Sequence, residues 1–309
     1  MSIASLMEAV MSRTQYLPAA EIEVGVEPLP EQSRNEVLAF LEERPVHTVC
    51  MIGFIRDNGL ESPHNRGTFY GCRNSEGRLE GVALIGHATL IEARTARAMQ
   101  EFARTAQIAA GTQLILGEQD RVEQFWNFYA DEGEDMRLIC HELLFELKRS
   151  PHTPECSDKL RLATLDDLSL IVPIHAQLAF AESGRNPLEQ DPVGFKSRCA
   201  RRIEKGRIWV AVQDGKLVFK ADVQADTPDV IYLEGVYVDP MERGKGVGRR
   251  CLSEMTQRLL TRAKSICVLV NEANTRAQSF YRLCNFKLRD HYYTIFLQRQ
   301  MQSPHQAHL

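Results

Sequence analysis

The chain has 309 residues, 44% of them hydrophobic and 25% charged, with a formal net charge of −4. That composition provides for a sizeable core and excludes a disordered or collagen-like chain. No run approaches the roughly 18 apolar residues needed to cross a bilayer, so no membrane span is expected.

Charge is unevenly spread. Residues 1–150 hold 14 Lys and Arg against 23 Asp and Glu, and the remainder holds 23 against 18. The basic excess gathers around 243–250 and at Arg198, Arg201 and Arg202, which suits one anionic ligand better than a nucleic-acid surface. Eight cysteines lie scattered without a C-x-x-C pair, so they read as reduced core residues of a cytoplasmic chain, and no metal is expected. Residues 1–15 have no basic start before an apolar block, so they do not read as an export signal. The length predicts two domains, 1–150 and 151–309, joined by the proline-bearing segment Arg149–Ser157.

Taken in order, residues 1–19 form a short helix or a loose tail. Glu31–Glu43 reads as a helix, and Val46–Ile55 as strand or helix. Gly67–Arg73 and Leu79–Gly86 pair around the turn Asn74–Gly77, and Thr89–Ala93 is a third short strand. A helix over 94–109, a strand over 112–117, a helix over 120–129 and a closing strand, Met136–Leu147, complete the first half. The second half opens with the strand 160–164. A helix follows over 166–182, with Pro173 predicting a kink or a later start. The next helix is capped by Asp191 with Pro192 at its first position. Strands 207–213 and 216–224 pair across Asp214–Gly215, a strong hairpin signal. Phe286–Leu297 reads as a closing hairpin around Asp290–His291. The two halves repeat one order of elements, which predicts a duplicated fold.

The most informative stretch lies between these. Val230–Val238 is a β-rich run stopped by Asp239–Pro240, and Arg243-Gly244-Lys245-Gly246-Val247-Gly248 opens a helix over 249–264. Strand, glycine loop and helix start make an anion site: glycines let the backbone approach, and the first helical N–H groups are unpaired. The spacing fits neither a P-loop nor a dinucleotide fingerprint. It fits Arg-x-x-Gly-x-Gly, as Arg243, Gly246 and Gly248. Beyond the strand Ser265–Asn271, Asn274-x-x-Ala277-x-x-x-Tyr281-x-x-x-Asn285-Phe286 forms a second motif. Together they resemble the two signatures of the GNAT superfamily of N-acetyltransferases over about 158–297, with Asn285 where that family usually has glycine.

The resemblance implies an α/β (α+β) fold whose central sheet is mixed, mostly antiparallel and flanked by helices. It also implies acetyl-CoA as co-substrate and acetyl transfer to a primary amine of a small molecule or a protein, by direct attack. Val236, Tyr237 and Val238 would hold the pantetheine arm, with the Val236 N–H on the thioester oxygen. Arg243, Gly244, Lys245, Gly246, Val247, Gly248 and Arg249 would hold the pyrophosphate. Asn274 would cap its helix and contact the arm, and Tyr281 would serve as general acid. Glu234, in an otherwise apolar strand, is the candidate base, with a substrate contact as the alternative and His175 and His291 as other bases. Gly235 predicts a bulge. The first half has no glycine cluster, so it reads as a GNAT-like copy without a cofactor loop, or as an unrelated α/β domain. A non-catalytic acyl-CoA sensor, using the first domain to contact a partner, is the alternative function. The acceptor and the oligomeric state are not legible.

Overall fold

The fold is described from a computed structural model, which defines residues 25–109, 111–151 and 160–298. The expected tail 1–19, most of the linker 149–157 and the polar end from 299 lie outside the described residues. No helix among the described residues is long and apolar enough to cross a membrane.

The first half contributes β1 (Val26–Pro28), α1 (Arg34–Glu42), α2 (Val49–Asn58), β2 (Gly67–Arg73), β3 (Leu79–Gly86), β4 (Ala88–Ala93), α3 (Ala96–Ile108), β5 (Leu114–Glu118), α4 (Gln119–Tyr129) and β6 (Met136–Leu147). The second contributes β7 (Arg161–Leu162), α5 (Leu168–Ser183), the short α6 (Pro187–Gln190), α7 (Pro192–Glu204), β8 (Ile208–Gln213), β9 (Lys216–Asp226), β10 (Val230–Val238), α8 (Val247–Leu259), β11 (Ser265–Asn271), α9 (Thr275–Leu283) and β12 (Lys287–Leu297). The expected repeat of element order is therefore present, and the apolar run at 46–55 resolves as helix.

Local chemistry accounts for many of these boundaries. Asp214 and Gly215 both have positive φ, 50° and 73°, as the two-residue hairpin turn between β8 and β9 requires. Asp191 accepts a hydrogen bond from the Gly194 amide at 2.8 Å, with Pro192 opening α7. The helix α5 runs through Pro173, entered by a 3-10 turn over 165–167, and ends where Gly184 turns left-handed at φ +69°. Asn285, at φ +70°, closes α9 in the left-handed conformation that the usual glycine would adopt.

The twelve strands among the described residues belong to one mixed sheet, in the order β1-β2-β3-β4-β5-β12-β6-β11-β10-β9-β8-β7. Only β4 with β5 and β10 with β11 pair in parallel; the rest are antiparallel. The order shows an exchange. Strand β6, from the first half, pairs with β11 of the second, while β12, from the second half, pairs with β5 of the first. The two exchanged strands also pair with each other from Lys287↔Glu146 to Leu297↔Met136.

This corrects the expectation of a closing hairpin at Asp290–His291. That stretch is one strand with a register shift between Leu288 and Asp290. A two-stranded neighbour is supplied by the other half instead, so no turn is needed. The sequence division at 150 is thus crossed in space by one strand from each side.

The halves also share core. Val49, Leu144, Ala225, Val230, Cys267 and Tyr292 form one buried cluster drawn from both. At Gly53 an added Cβ would lie 2.6 Å from the Ala225 Cβ, so glycine lets α2 seat on β9. Asp57 pairs with Arg207 at 2.7 Å beside this contact. The seven described cysteines are all free, and six are buried.

Candidate active site

Parallel pairing of β10 with β11 stops at Leu233↔Val268. Beyond it, Glu234–Val238 stays in register only with β9, and that register breaks between Glu234 and Tyr237. Gly235 sits in the break at φ +57°, the bulge expected there. Beyond Leu233 the edge of β10 that faced β11 is unpaired.

At the end of β10, Asp239 caps a 3-10 turn by accepting from the Met241 amide at 2.7 Å. Arg243 Nε donates to the Val238 carbonyl at 3.0 Å, which folds the loop back on the strand. Gly244 and Gly246 have φ +80° and +81°. Gly246 begins α8 without any side-chain cap. The first helical bond there is Arg250 N to Gly246 O at 3.0 Å, leaving the amides of Val247, Gly248 and Arg249 ahead of it. The loop from Arg243 to Gly246 is exposed. These amides and the surrounding cations can hold a pyrophosphate. Gly248 differs from its neighbours. Its φ is not positive, and a Cβ there would meet Val238 Cγ2 at 2.6 Å, so this glycine serves helix–strand packing.

On the far wall, Asn274 caps α9 by accepting from the Ala277 amide at 3.0 Å. Tyr281, on the same helix, is 6% exposed and packs on Phe145, Phe280 and Phe286. Burial pushes its phenol well above the usual range, so it stays protonated at neutral pH. Phe145 comes from β6, so the first half supplies part of the seat of this tyrosine.

Glu234 does not stand alone. Its Oε1 accepts from Arg202 Nη1 at 2.6 Å, and Arg202 Nη2 lies 3.7 Å from Asp222 Oδ2. Asp222 lies 2.8 Å from both His175 Nε2 and Lys220 Nζ. Lys220 is fully buried and donates to the Gly235 carbonyl at 3.0 Å. His175 is thus held inside an ion-pair network, with burial lowering its proton affinity, and His291 is exposed on β12. Neither is placed as a base in the open cleft. The charged network was missed in the sequence, though Lys220 and Asp222 gave a signal: two charges at alternate positions in the apolar run Leu217–Val223.

Two further carboxylates lie near Glu234. Cys140 Sγ approaches the Glu182 carbonyl at 3.9 Å, so the end of α5 lies over β6. Cys140 and Glu142 alternate onto that same face. Glu142 is 9% exposed and accepts from Thr294 Oγ1, and burial raises its proton affinity. Glu182 is exposed at the end of α5; desolvation by its neighbours, with the charges of Glu142 and Glu234, raises its carboxyl toward about 7. Phe180, 55% exposed, lies two residues earlier on α5.

The first half has the matching splay, where β4 and β5 part after Leu90↔Leu116. There the gap is closed. Arg44 pairs with Glu92 at 2.9 Å and Glu118 at 2.5 Å, and Arg121 pairs with Glu118 at 3.1 Å. Arg121 also donates to the Ala93 carbonyl at 2.5 Å. The connection from β4 to α3 is only Arg94–Thr95, so there is no room for a glycine loop. Among the described residues, His47, Glu118 and Asp290 could together ligate a cation, but Arg44 and Arg121 already hold Glu118.

A splayed parallel pair, a bulged strand, a positive-φ glycine loop and a helix start thus lie together at the ends of β10 and β11. Residues 175–286 match the family described as Acetyltransferase (GNAT) family. Over 91 residues the chain is 29% identical to the peptidyl-lysine N-acetyltransferase YjaB of Salmonella typhimurium. That match covers 28% of this chain and 54% of the relative, so the chain spans about half the relative's length. Among solved structures, a GNAT-family acetyltransferase from Colwellia psychrerythraea superposes with a TM-score of 0.55 at 13% identity, covering 88% of this chain and 99% of the other. A tandem GNAT protein from the clavulanic acid biosynthesis pathway does so with a TM-score of 0.55 at 14% identity, covering 89% and 99%. The shared fold therefore runs through both halves, as the repeated element order predicts.

Proposed function

We propose that the chain is an acetyl-CoA-dependent N-acetyltransferase with one working site, in the cleft between β10 and β11. The observation that carries this is the bulge at Gly235 next to an open glycine loop, since a module that only packs two strands needs neither. Residues 243–249 bind the pyrophosphate through backbone amides and cations. The arm lies along Val236–Val238 and beside Asn274, and its two amides pair with the freed strand edge.

The acceptor amine attacks the thioester carbonyl carbon. A C–N bond forms as the carbonyl electron pair moves to oxygen, where the Val236 N–H receives it; such a fixed donor contributes about 3 kcal/mol as charge develops. The intermediate collapses, the C–S bond breaks, and the thiolate leaves with the electron pair. Tyr281, kept protonated by burial, donates to that sulfur. Before attack the acceptor ammonium gives one proton to Glu234, with Glu182 the next acceptor on its way to solvent; the second proton, lost from nitrogen as the intermediate collapses, replaces the one that Tyr281 gives to sulfur.

Glu142, Glu182 and Glu234 around the entrance favour a cationic acceptor. A lysine side chain or a small polyamine fits. The relative named a peptidyl-lysine N-acetyltransferase supports the same class. The test is thiol release from acetyl-CoA with lysine peptides, polyamines and neutral amines. Turnover with the cationic amines is expected. Acetyl-CoA binding without turnover on any amine would instead favour a non-catalytic acyl-CoA sensor.

A further inference from the structure

Lys220 is the buried charge that the mechanism above does not use. It sits mid-strand in β9 with 0% exposure, and its neighbours Val218, Phe219 and Ala221 are core residues. An ammonium buried among apolar residues is costly unless paired and hydrogen-bonded. Here it has one ionic partner, Asp222 at 2.8 Å, and one backbone partner, the Gly235 carbonyl at 3.0 Å. The cluster balances: Lys220 and Arg202 against Asp222 and Glu234. Any side chain at Gly235 would displace it, since a Cβ would lie 2.8 Å from Nζ.

The Gly235 carbonyl and the Val236 N–H belong to the same peptide unit. That unit is planar and trans, so its C=O and N–H point in opposite senses. Fixing the carbonyl toward β9 aims the N–H toward the β11 side, where pairing has ended and the cleft opens. A cation on the carbonyl also polarises the amide and strengthens its N–H as a donor.

We infer that Lys220 is a positioning residue for acetyl transfer, which holds and polarises the Gly235–Val236 peptide so that its N–H binds the thioester oxygen. This rests on the assignment of the Val236 amide as oxyanion donor made above. Asp222 keeps Lys220 in place, with His175 and Arg202 holding Asp222 in turn. The ammonium itself never touches the cofactor.

The test is isotope-edited infrared spectroscopy of acetyl-CoA labelled with carbon-13 at the carbonyl, bound to the full chain. In the wild type the bound carbonyl stretch falls below that of the free thioester. In Lys220→Met it returns toward the free value, kcat drops by about 10- to 100-fold, less than the loss of a whole oxyanion donor, and calorimetric affinity for acetyl-CoA changes little. A purely structural role would alter affinity or melting temperature and leave the carbonyl frequency of the bound fraction alone; that result overturns the inference while the acetyltransferase assignment stands. A wild type that binds no acetyl-CoA refutes that assignment and the inference together. Should Lys220→Met misfold, the double variant Lys220→Met with Asp222→Asn leaves no unpaired buried charge and is read the same way. Nitrogen-15 NMR of the wild type adds a check that needs no variant: a slowly exchanging Lys220 ammonium is expected, and a neutral amine overturns the inference.

Discussion

Cutting the chain between its two sequence halves should unfold the half that carries the site. A fragment starting at 152 keeps the glycine loop, Tyr281 and Glu234, yet it lacks β6. That strand pairs with β11 over Ile266–Asn271 and fills the core below Tyr281 with Leu143, Phe145 and Leu147, while Leu144 joins the cluster shared by both halves. All four side chains are 5% exposed or less. At about 1.5–3 kcal/mol for each buried side chain of this size, β6 contributes roughly 6–12 kcal/mol. A whole domain is stable by only about 5–15 kcal/mol. The fragment also strands β12, whose partners β5 and β6 are both gone. Circular dichroism and calorimetry with acetyl-CoA should therefore show no cooperative melt and no binding for 152–309 alone. Co-expression with 1–151 should restore both. A fragment 152–309 that melts cooperatively and binds acetyl-CoA like the full chain would refute the claim that the exchanged strands hold the fold together.

Gly246→Val should abolish acetyl-CoA binding with the fold retained, since φ +81° is strained for valine; calorimetry and a melting curve check it. Gly248→Val should instead lower the melting temperature, because its Cβ would meet Val238 at 2.6 Å. Tyr281→Phe should reduce kcat with acetyl-CoA affinity intact, and a better leaving thiol should recover part of the loss. Glu234→Gln should cut kcat by about 10²–10⁴; a raised KM for the amine with unchanged kcat would make Glu234 a substrate contact. Because a carboxylate accepts protons only when ionised, kcat/KM should fall as pH drops through about 7, where Glu182 protonates, and Glu182→Gln should move that limb.

What the sequence revealed and what it hid divide by range. Val230–Val238, the left-handed Asn285, the Gly235 bulge and the Asp191 cap were legible because each depends on residues within one turn or strand. The fate of 286–297 was not, because a strand and a hairpin arm carry the same alternation, and the choice was made by β5 and β6 more than a hundred residues away. The site divides the same way. The cofactor side proposed for it is a contiguous loop, whose left-handed glycines depend on local residues alone. Its acceptor side is assembled from β6, the end of α5 and the bulged strand, so Glu142 and Glu182 have no spacing relation to Glu234 that a sequence could display.

Strand exchange also gives the closed first half a physical role. Its own splay is filled by Arg44, Glu92, Glu118 and Arg121, which leaves no slot for a pantetheine arm. Yet its last strand carries Glu142 toward Glu182 and Phe145 against Tyr281. A copy with no glycine loop is therefore tied to the proposed site through β6. Substitutions along that strand should change acceptor preference and catalysis without changing the cofactor loop. Glu142→Gln tests this most directly: the KM for a cationic amine should rise relative to that for a neutral one, with acetyl-CoA affinity unchanged. Equal effects on both amines would mean that β6 serves the fold alone.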